Sequence, residues 1–476
     1  MNRDQKNKQS GQLIMQVLVF GAIAIFLIGG LASWANLNMK VSRRSYNREM
    51  ALQIAEAGID YYRWHLAHAP NDYTDGTTTP SPYIHNFTDK NGDILGKFTL
   101  TIVPPPVGST VVTIHSSGTV LADPAIARSI TTRLAIPSFA KYSVVANAYM
   151  RFGAGTEIFG PIHSNNGIHF DGLAHNIITS SLATSTDPDH SGAAEWAVHT
   201  HLAPVDPLPP IAIPSRPDVF QAGRQFPVAT VDFTGITSDL SQIKANAQAN
   251  GKYFTPSGAL GYHIVLKTDD TYDVYRVNTL VSAPGGCASG GVSGWGTWSI
   301  AGGGETFLQN YANPTNGLIF VEDNVWVDGQ INTARLTIAS GRFPDNPATR
   351  TNIIVNKDLL YTNYDGQDVL ALIAQNNFTV GLKSSNTFRI DAALIAQNGR
   401  AGRFYYNSNC GAEYVRSQLT LYGMIATNQR YGFAYTNGTG YATRIINYDA
   451  NLLYGPPPSF PLTSAQYSIL SWQEDK

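Results

Sequence analysis

Ala371-Leu372-Ile373-Ala374-Gln375-Asn376-Asn377 is followed, 22 positions further on, by Ala393-Leu394-Ile395-Ala396-Gln397-Asn398-Gly399. Each is a short apolar run closed by a polar turn. The unit returns at less regular spacing in Leu318-Ile319-Phe320-Val321-Glu322-Asp323-Asn324, in Asn352-Ile353-Ile354-Val355-Asn356 and in Gly423-Met424-Ile425-Ala426-Thr427-Asn428. An earlier copy is Gly153-Ala154-Gly155-Thr156-Glu157-Ile158-Phe159-Gly160-Pro161-Ile162-His163-Ser164-Asn165. Strand-turn units that stack on their neighbours are the signature of a β-solenoid, and asparagines at equivalent corners can hydrogen-bond along the stack. The expectation for residues 139–476 is a right-handed parallel β-helix, with a multi-sheet sandwich as the alternative.

That pattern breaks over about 174–315, which reads as an inserted α/β excursion. Residues 204–217 are rich in proline, residues 238–250 form a short helix stopped by Gly251, and residues 261–281 read as a hairpin. A glycine-rich loop follows and carries Cys287. The second cysteine is Cys410, and the two can pair in an oxidising compartment.

Upstream, residues 70–138 read as an antiparallel meander: Phe98-Thr99-Leu100-Thr101-Ile102-Val103, then Val111-Val112-Thr113-Ile114-His115-Ser116, then a strand over 127–136. His115 is expected to be a packed or solvent-facing strand residue.

Before it lies the strongest single signal. No charged side chain stands between Lys8 and Lys40, and residues 13–37 are long enough to cross a bilayer as one helix. A core helix, or a signal peptide cleaved after Gly30-Leu31-Ala32, are the alternatives. The helical pattern continues past the apolar run through Ala51, Ile54, Ala55, Gly58, Tyr62 and Leu66 up to Pro70. A helix over 12–69 is on the order of 85 Å long, well beyond a bilayer's thickness.

A short basic leader ending at Gly11, an apolar helix starting at once, and the extension Ala51-Leu52-Gln53-Ile54-Ala55-Glu56-Ala57-Gly58 together resemble the N-terminus of type IV pilin-like proteins, in particular PilX-type minor pilins. The resemblance implies a leader over 1–11, cleavage by a prepilin peptidase between Gly11 and Gln12, and a pilin-like head over 70–138. It also implies a single-pass membrane protein with a cytoplasmic N-terminus and extracytoplasmic domains, on the cell surface or in a pilus. Its partners would be other pilin subunits and the inner-membrane pilus assembly machinery. The chain departs from major pilins, which carry an aromatic residue first and a glutamate fifth in the mature chain, in having Gln12 and Gln16. Small residues offer helix-packing positions at Gly21, Gly29 and Gly30 in the apolar half and at Ala51, Ala55 and Gly58 beyond it, where packing beneath the sheet of the chain's own head is the alternative. The segment Asn447-Tyr448-Asp449-Ala450-Asn451-Leu452-Leu453-Tyr454-Gly455-Pro456-Pro457-Pro458 resembles the end of large PilX-like surface proteins, where it would cap the last coil.

Only 14% of the 476 residues are charged and the net charge is -2, so no clustered basic surface points to a nucleic acid. Catalytic motifs are absent: there is no Gly-x-Ser-x-Gly, P-loop, HExxH, CxxC or EF-hand loop. His163, His169, Asp171, His175, His190, His199 and His201 are the densest set of ligand-type residues. They lack paired metal-ligand spacing and read as scattered loop histidines, so no metal or cofactor is expected. Asp345, Asp358, Asp365, Asp368 and Asp391 are the carboxylates a glycan-cleaving enzyme would need. The expectation is a minor pilin-like structural or adhesive surface protein and not an enzyme. A membrane-anchored carbohydrate-active enzyme and a secreted β-helix are the alternatives.

Overall fold

The computed structural model describes residues 4–106, 108–189, 192–233, 235–287, 296–463 and 466–475, with 4–11 and 235–239 described by their backbone alone. The chain is mainly β, with one long N-terminal apolar helix, and it divides into two compact units. One unit takes the residues up to 105, 111–135 and those from 466 onward; the other takes 106–110 and 136–465.

In the first unit, helix α1 runs from Asp4 to His68. It begins earlier than the expected start at Gln12, because nothing in the polar leader breaks a helix, and it ends before Pro70 as the sequence requires. Ala51, Ile54, Ala55, Tyr62 and Leu66 are wholly buried, a helical stripe facing an antiparallel sheet. That sheet is ordered β1 (Tyr83–Thr88), β2 (Ile94–Val103), β3 (Val112–Val120), β4 (Asp123–Ala135). Alternation sends Phe98, Leu100, Ile102, Val112, Ile114, Ile130 and Leu134 inward to the same core. Fully burying a side chain of this size contributes roughly 1.5–3 kcal/mol, so the stripe is enough to fix the helix on the sheet.

β1 was not among the three expected strands, although Tyr83-Ile84-His85-Asn86-Phe87-Thr88 pairs with β2 over its whole length. A larger correction concerns the C-terminus. Ser468–Glu474 does not belong with residues 139–465; it lies antiparallel on β4, from Ser468 opposite Ala135 to Glu474 opposite Ile130. An ion pair between Arg128 and Glu474 and a 3.1 Å hydrogen bond between the Tyr73 and Tyr467 hydroxyls hold it there. β4 would otherwise present an open row of backbone donors and acceptors, which a fifth strand satisfies. The second unit is thus inserted in the sequence between two neighbouring strands of the first unit's sheet.

The second unit is built from parallel ladders. One passes through Lys252–Phe254, Leu318–Val321, Arg335–Ser340, Val369–Ala374, the ends of Thr387–Ala396 and Val415–Thr427, then Val144–Ala146, Ile162–Ser164, Ile178–Ser180 and Arg224–Gln225. Ala371 pairs with Ala393 and Ala374 with Ala396, so the 22-residue repeat is one step of this ladder. A second ladder joins Gly261–Leu266, Val325–Ile331, Ile353–Ile354, Phe378–Val380 and Ala401–Arg403. A third joins the starts of Thr387–Ala396 and Val415–Thr427 to Gly440–Tyr448, Thr156–Ile158 and Leu173–Ala174.

The stacking order is not the chain order. Ile425 pairs with Val144, so the chain's last step in the first ladder lies against its first. From Val144 the strands step outward to Arg224–Gln225; helix α2 (Gly235–Asn250) and Lys252–Phe254 then restart the ladder, which returns through Leu318–Val321 towards Val144.

This order corrects the expected excursion over 174–315. Ile178–Ser180, Arg224–Gln225, Lys252–Phe254 and Gly261–Leu266 are ladder members, while the expected hairpin is present as Gly261–Leu266 antiparallel to Thr271–Val277, with Glu305–Ala312 added antiparallel beside it. Leu240, Ile243 and Ala247 of α2 pack on Leu318, Phe320, Ala339 and Ile373. In this part of the ladder Leu318–Val321 and Val369–Ala374 are buried at every position, as strands covered on both faces are, and read as continuous apolar runs instead of alternating.

Asparagines join successive steps. Asn352 Nδ2 donates to Asn324 Oδ1 at 3.0 Å, and Asn352 Oδ1 accepts from Asn376 and Asn377 Nδ2 at 3.1 Å each. A second row runs from Asn165 through Asn147 to Asn428.

Candidate functional site

α1 has two halves of opposite character. Residues 12–46 are exposed along every face, including Phe20 at 69% and Phe26 at 82%. A contiguous apolar surface of this extent marks a site of membrane or protein contact, and the helix is long and apolar enough to cross a membrane. Lys40, Arg43, Arg44 and Arg48 follow on its exposed surface.

The small residues divide along the same line. A Cβ added at Gly21, Gly29 or Gly30 would meet nothing within 4 Å, whereas one at Gly58 would lie 2.3 Å from Ser116 Oγ and 3.0 Å from Phe98. Ala51, Ala55 and Gly58 are used inside the first unit, where Ser116 Oγ donates to the Ala55 carbonyl at 2.7 Å. They pack beneath the sheet of their own unit, the alternative to a face offered to neighbouring helices. Gly11 and Gln12 lie within the continuous α1.

Cys287 and Cys410 are disulfide-bonded across a separation of 123 residues. Leu382, Phe404 and Tyr406 are buried beside Cys410.

Of the five candidate aspartates, Asp358 and Asp391 share Arg389 as a partner. Asp368 accepts the N–H groups of Ala334, Thr362 and Asn363, and Asp391 accepts from the Tyr361 N–H, Tyr364 Oη and Arg389 Nε. Asp345 pairs with Arg350, Asp358 accepts the Arg389 N–H, and Asp365 accepts from Gln367. His115 is exposed in β3, within 2.8 Å of Thr131 Oγ1.

The histidines are only partly scattered. His163 contacts Thr179 and Asn165, His175 lies between Glu157 and Gln221, and His190 lies outside the described residues. His169, His199 and His201 converge. His169 and His199 are lateral partners, because Ile168–Phe170 pairs in parallel with Val198–His199. Asp187 arrives on the loop between Thr184–Ser185 and Glu195–Trp196. One ligand-type atom from each of His169, Asp187, His199 and His201 lies within 4.8 Å of every other.

His169, Asp187 and His199 are 0%, 2% and 2% exposed, and the His201 side chain is 24% exposed. Acidic oxygens surround the rings. Asp187 Oδ2 is 2.8 Å from His169 Nδ1, Asp171 Oδ2 is 2.7 Å from His169 Nε2, and Glu195 Oε1 is 2.8 Å from His201 Nε2. His199 Nδ1 donates to the Trp196 carbonyl at 2.7 Å. Burial alone would raise the Asp171 pKa, but hydrogen bonds from His169, the His201 N–H and the Thr200 hydroxyl hold it at about 2. No sequence spacing signalled this cluster, since its members come from three separate segments. Asp187 and Glu195 were missed altogether.

No known protein-family model matches the chain, and no curated protein matches it. Among solved structures it is similar to the competence-associated pilin ComZ from Thermus thermophilus, at 13% identity and a TM-score of 0.29, over 90% of this chain and 98% of that one. At that level of similarity, the chain's own residues carry the functional reading.

Proposed function

We propose that this chain is a minor pilin-like surface protein: the exposed half of α1 sits in the membrane or a filament core, and the two folded units stand outside the cell. The carrying observation is the division of one unbroken helix into a fully exposed apolar half and a half buried beneath an antiparallel sheet. An exposed apolar surface is stable only against lipid or other apolar helices. The first unit is then a pilin-type α/β head. Laterally registered parallel ladders, asparagine rows and a 22-residue step support a right-handed parallel β-helix for residues 136–465. Placed outside the cell, that module is a display or adhesive element and not an enzyme. Its partners would be other pilin subunits, the assembly machinery and a prepilin peptidase acting between Gly11 and Gln12.

Mass spectrometry of the mature N-terminus tests the reading. A chain beginning at Gln12, with maturation blocked by Gly11→Ala, is the expected result. An intact Met1, or a chain beginning at Ser33, which would make residues 1–32 a cleaved signal, would sink the reading.

A further inference from the structure

We propose that His169, Asp187, His199 and His201 form a binding site for one divalent cation of the zinc class, with Asp171 and Glu195 as the outer acceptors that orient the rings. Three imidazoles and a carboxylate form an intermediate-to-soft donor set that suits zinc better than calcium or magnesium, which prefer all-oxygen shells.

The geometry is that of donors facing donors across a shared point. His169 has a carboxylate oxygen within 2.8 Å of each ring nitrogen. A neutral imidazole has one N–H and can satisfy only one of them. When Nε2–H donates to Asp171, the Nδ1 lone pair and Asp187 Oδ2 stand side by side as two metal-donor atoms. His199 repeats the arrangement. Its Nδ1–H is given to the Trp196 carbonyl, which leaves Nε2 as an acceptor with the Tyr149 hydroxyl at 3.5 Å, Glu195 Oε2 at 2.7 Å and Asp187 Oδ2 at 3.9 Å. Glu195 Oε2 is buried and, despite that short distance, makes no hydrogen bond. A second-sphere carboxylate or carbonyl on the far ring nitrogen is how ligating histidines are ordinarily held. Asp171 fills that place for His169 and the Trp196 carbonyl for His199, while Glu195 lies against His201 Nε2 and His199 Nε2.

Tetrahedral donors about 2.1 Å from zinc stand roughly 3.4 Å apart. Against that spacing, His169 Nδ1 and Asp187 Oδ2 at 2.8 Å must open by about 0.6 Å, His199 Nε2 and Asp187 Oδ2 at 3.9 Å must close by about 0.5 Å, and no pair of the four stands beyond 4.8 Å, movements within the reach of side-chain torsions. What the ion would do follows from the topology. His169 and His199 are already joined by the parallel pairing, while Asp187 and His201 come from the unpaired parts of the long connection between Ile178–Ser180 and Arg224–Gln225. A cation would fasten that connection to the strands it overlies, as the disulfide fastens the loop carrying Cys287.

The test uses the full chain in detergent, stripped with a chelator and then titrated with zinc chloride, with calcium chloride as comparison. Bound metal is counted by plasma mass spectrometry, and the zinc shell is read by X-ray absorption. The expected result is one zinc per chain with imidazole scattering, no calcium uptake at equal concentration, and slower hydrogen exchange across 181–201 on binding. His201→Gln, the least buried change, and Asp187→Asn should each weaken zinc binding by at least about 100-fold. His175→Gln, outside the cluster, should leave binding unchanged, and unaltered exchange in the strands over 318–427 reports that each variant has folded. A folded wild-type chain that takes up no zinc overturns the proposal. So does uptake that survives both His201→Gln and Asp187→Asn.

Discussion

Replacing Gly118 with alanine should loosen α1 from the sheet of the first unit. Gly118 is in β3, and a Cβ built there would lie 2.1 Å from the Ala51 carbonyl oxygen and 2.5 Å from the Ala55 amide nitrogen. Both opposing atoms are backbone, so no side chain can swing aside. Restoring ordinary contact requires the helix to move off by about an ångström. Overpacking of this kind costs about 1–3 kcal/mol. The opposing effect, a less flexible unfolded chain, contributes about 0.4–1 kcal/mol in favour of alanine. Steric cost outweighs entropy, and the net expectation is a loss of about 1–2 kcal/mol confined to the first unit. Hydrogen exchange with mass spectrometry reads it: peptides over 94–135 should lose about ten-fold or more in protection, while peptides over 318–427 stay unchanged. Equal protection in wild type and Gly118→Ala would refute the close helix-sheet approach on which the division of α1 rests.

Three further outcomes are expected. Gly21→Leu with Gly29→Leu, both in open space, should leave the folded units and membrane retention intact but lower recovery in sheared surface filaments; unchanged recovery would mean the helix only anchors. His263 lies 2.7 Å from Glu305 and 2.9 Å from Asp328, with Lys357 and Tyr275 nearby. Burial pushes its pKa down, yet the hydrogen bonds and charges of Asp328 and Glu305 outweigh that and raise it to about 9. A raised folded-state pKa stabilises fully below about 6.5 and is lost as pH climbs through 9, a contribution of at most about 3 kcal/mol. Thermal melts of wild type should fall between pH 7 and 10 more than those of His263→Gln; parallel curves would remove His263 as the cause. Cys287→Ser with Cys410→Ser opens a loop of 123 residues, worth up to about 5 kcal/mol in the chain-entropy model. Proteolysis should then cut near residue 287 first, and free thiols in exported wild-type protein would contradict the bond.

The local periodicities were open to a reader of the sequence. An uncharged apolar run sets a helix, the 3.6-residue recurrence of Ala51, Ile54, Ala55, Tyr62 and Leu66 gives its buried face, and the Ala-Gln-Asn repeat marks neighbouring ladder steps. These are properties of adjacent residues, and each is written as a spacing. Which strands become neighbours across long separations was not written that way. Ser468–Glu474 joins β4 because an unpaired edge accepts any strand of suitable register, and no spacing in the sequence names that partner. Ile425 meets Val144 only because the ladder is restarted from its far end after α2. The histidine cluster has the same origin: parallel pairing of Ile168 with Val198 brings His169 beside His199, and Asp187 joins them from the loop between Thr184–Ser185 and Glu195–Trp196. Sequence by itself decided what each segment is, through hydrophobic period and charge. Only the tertiary structure decided what each segment touches, because lateral strand pairing uses backbone groups that every residue type shares.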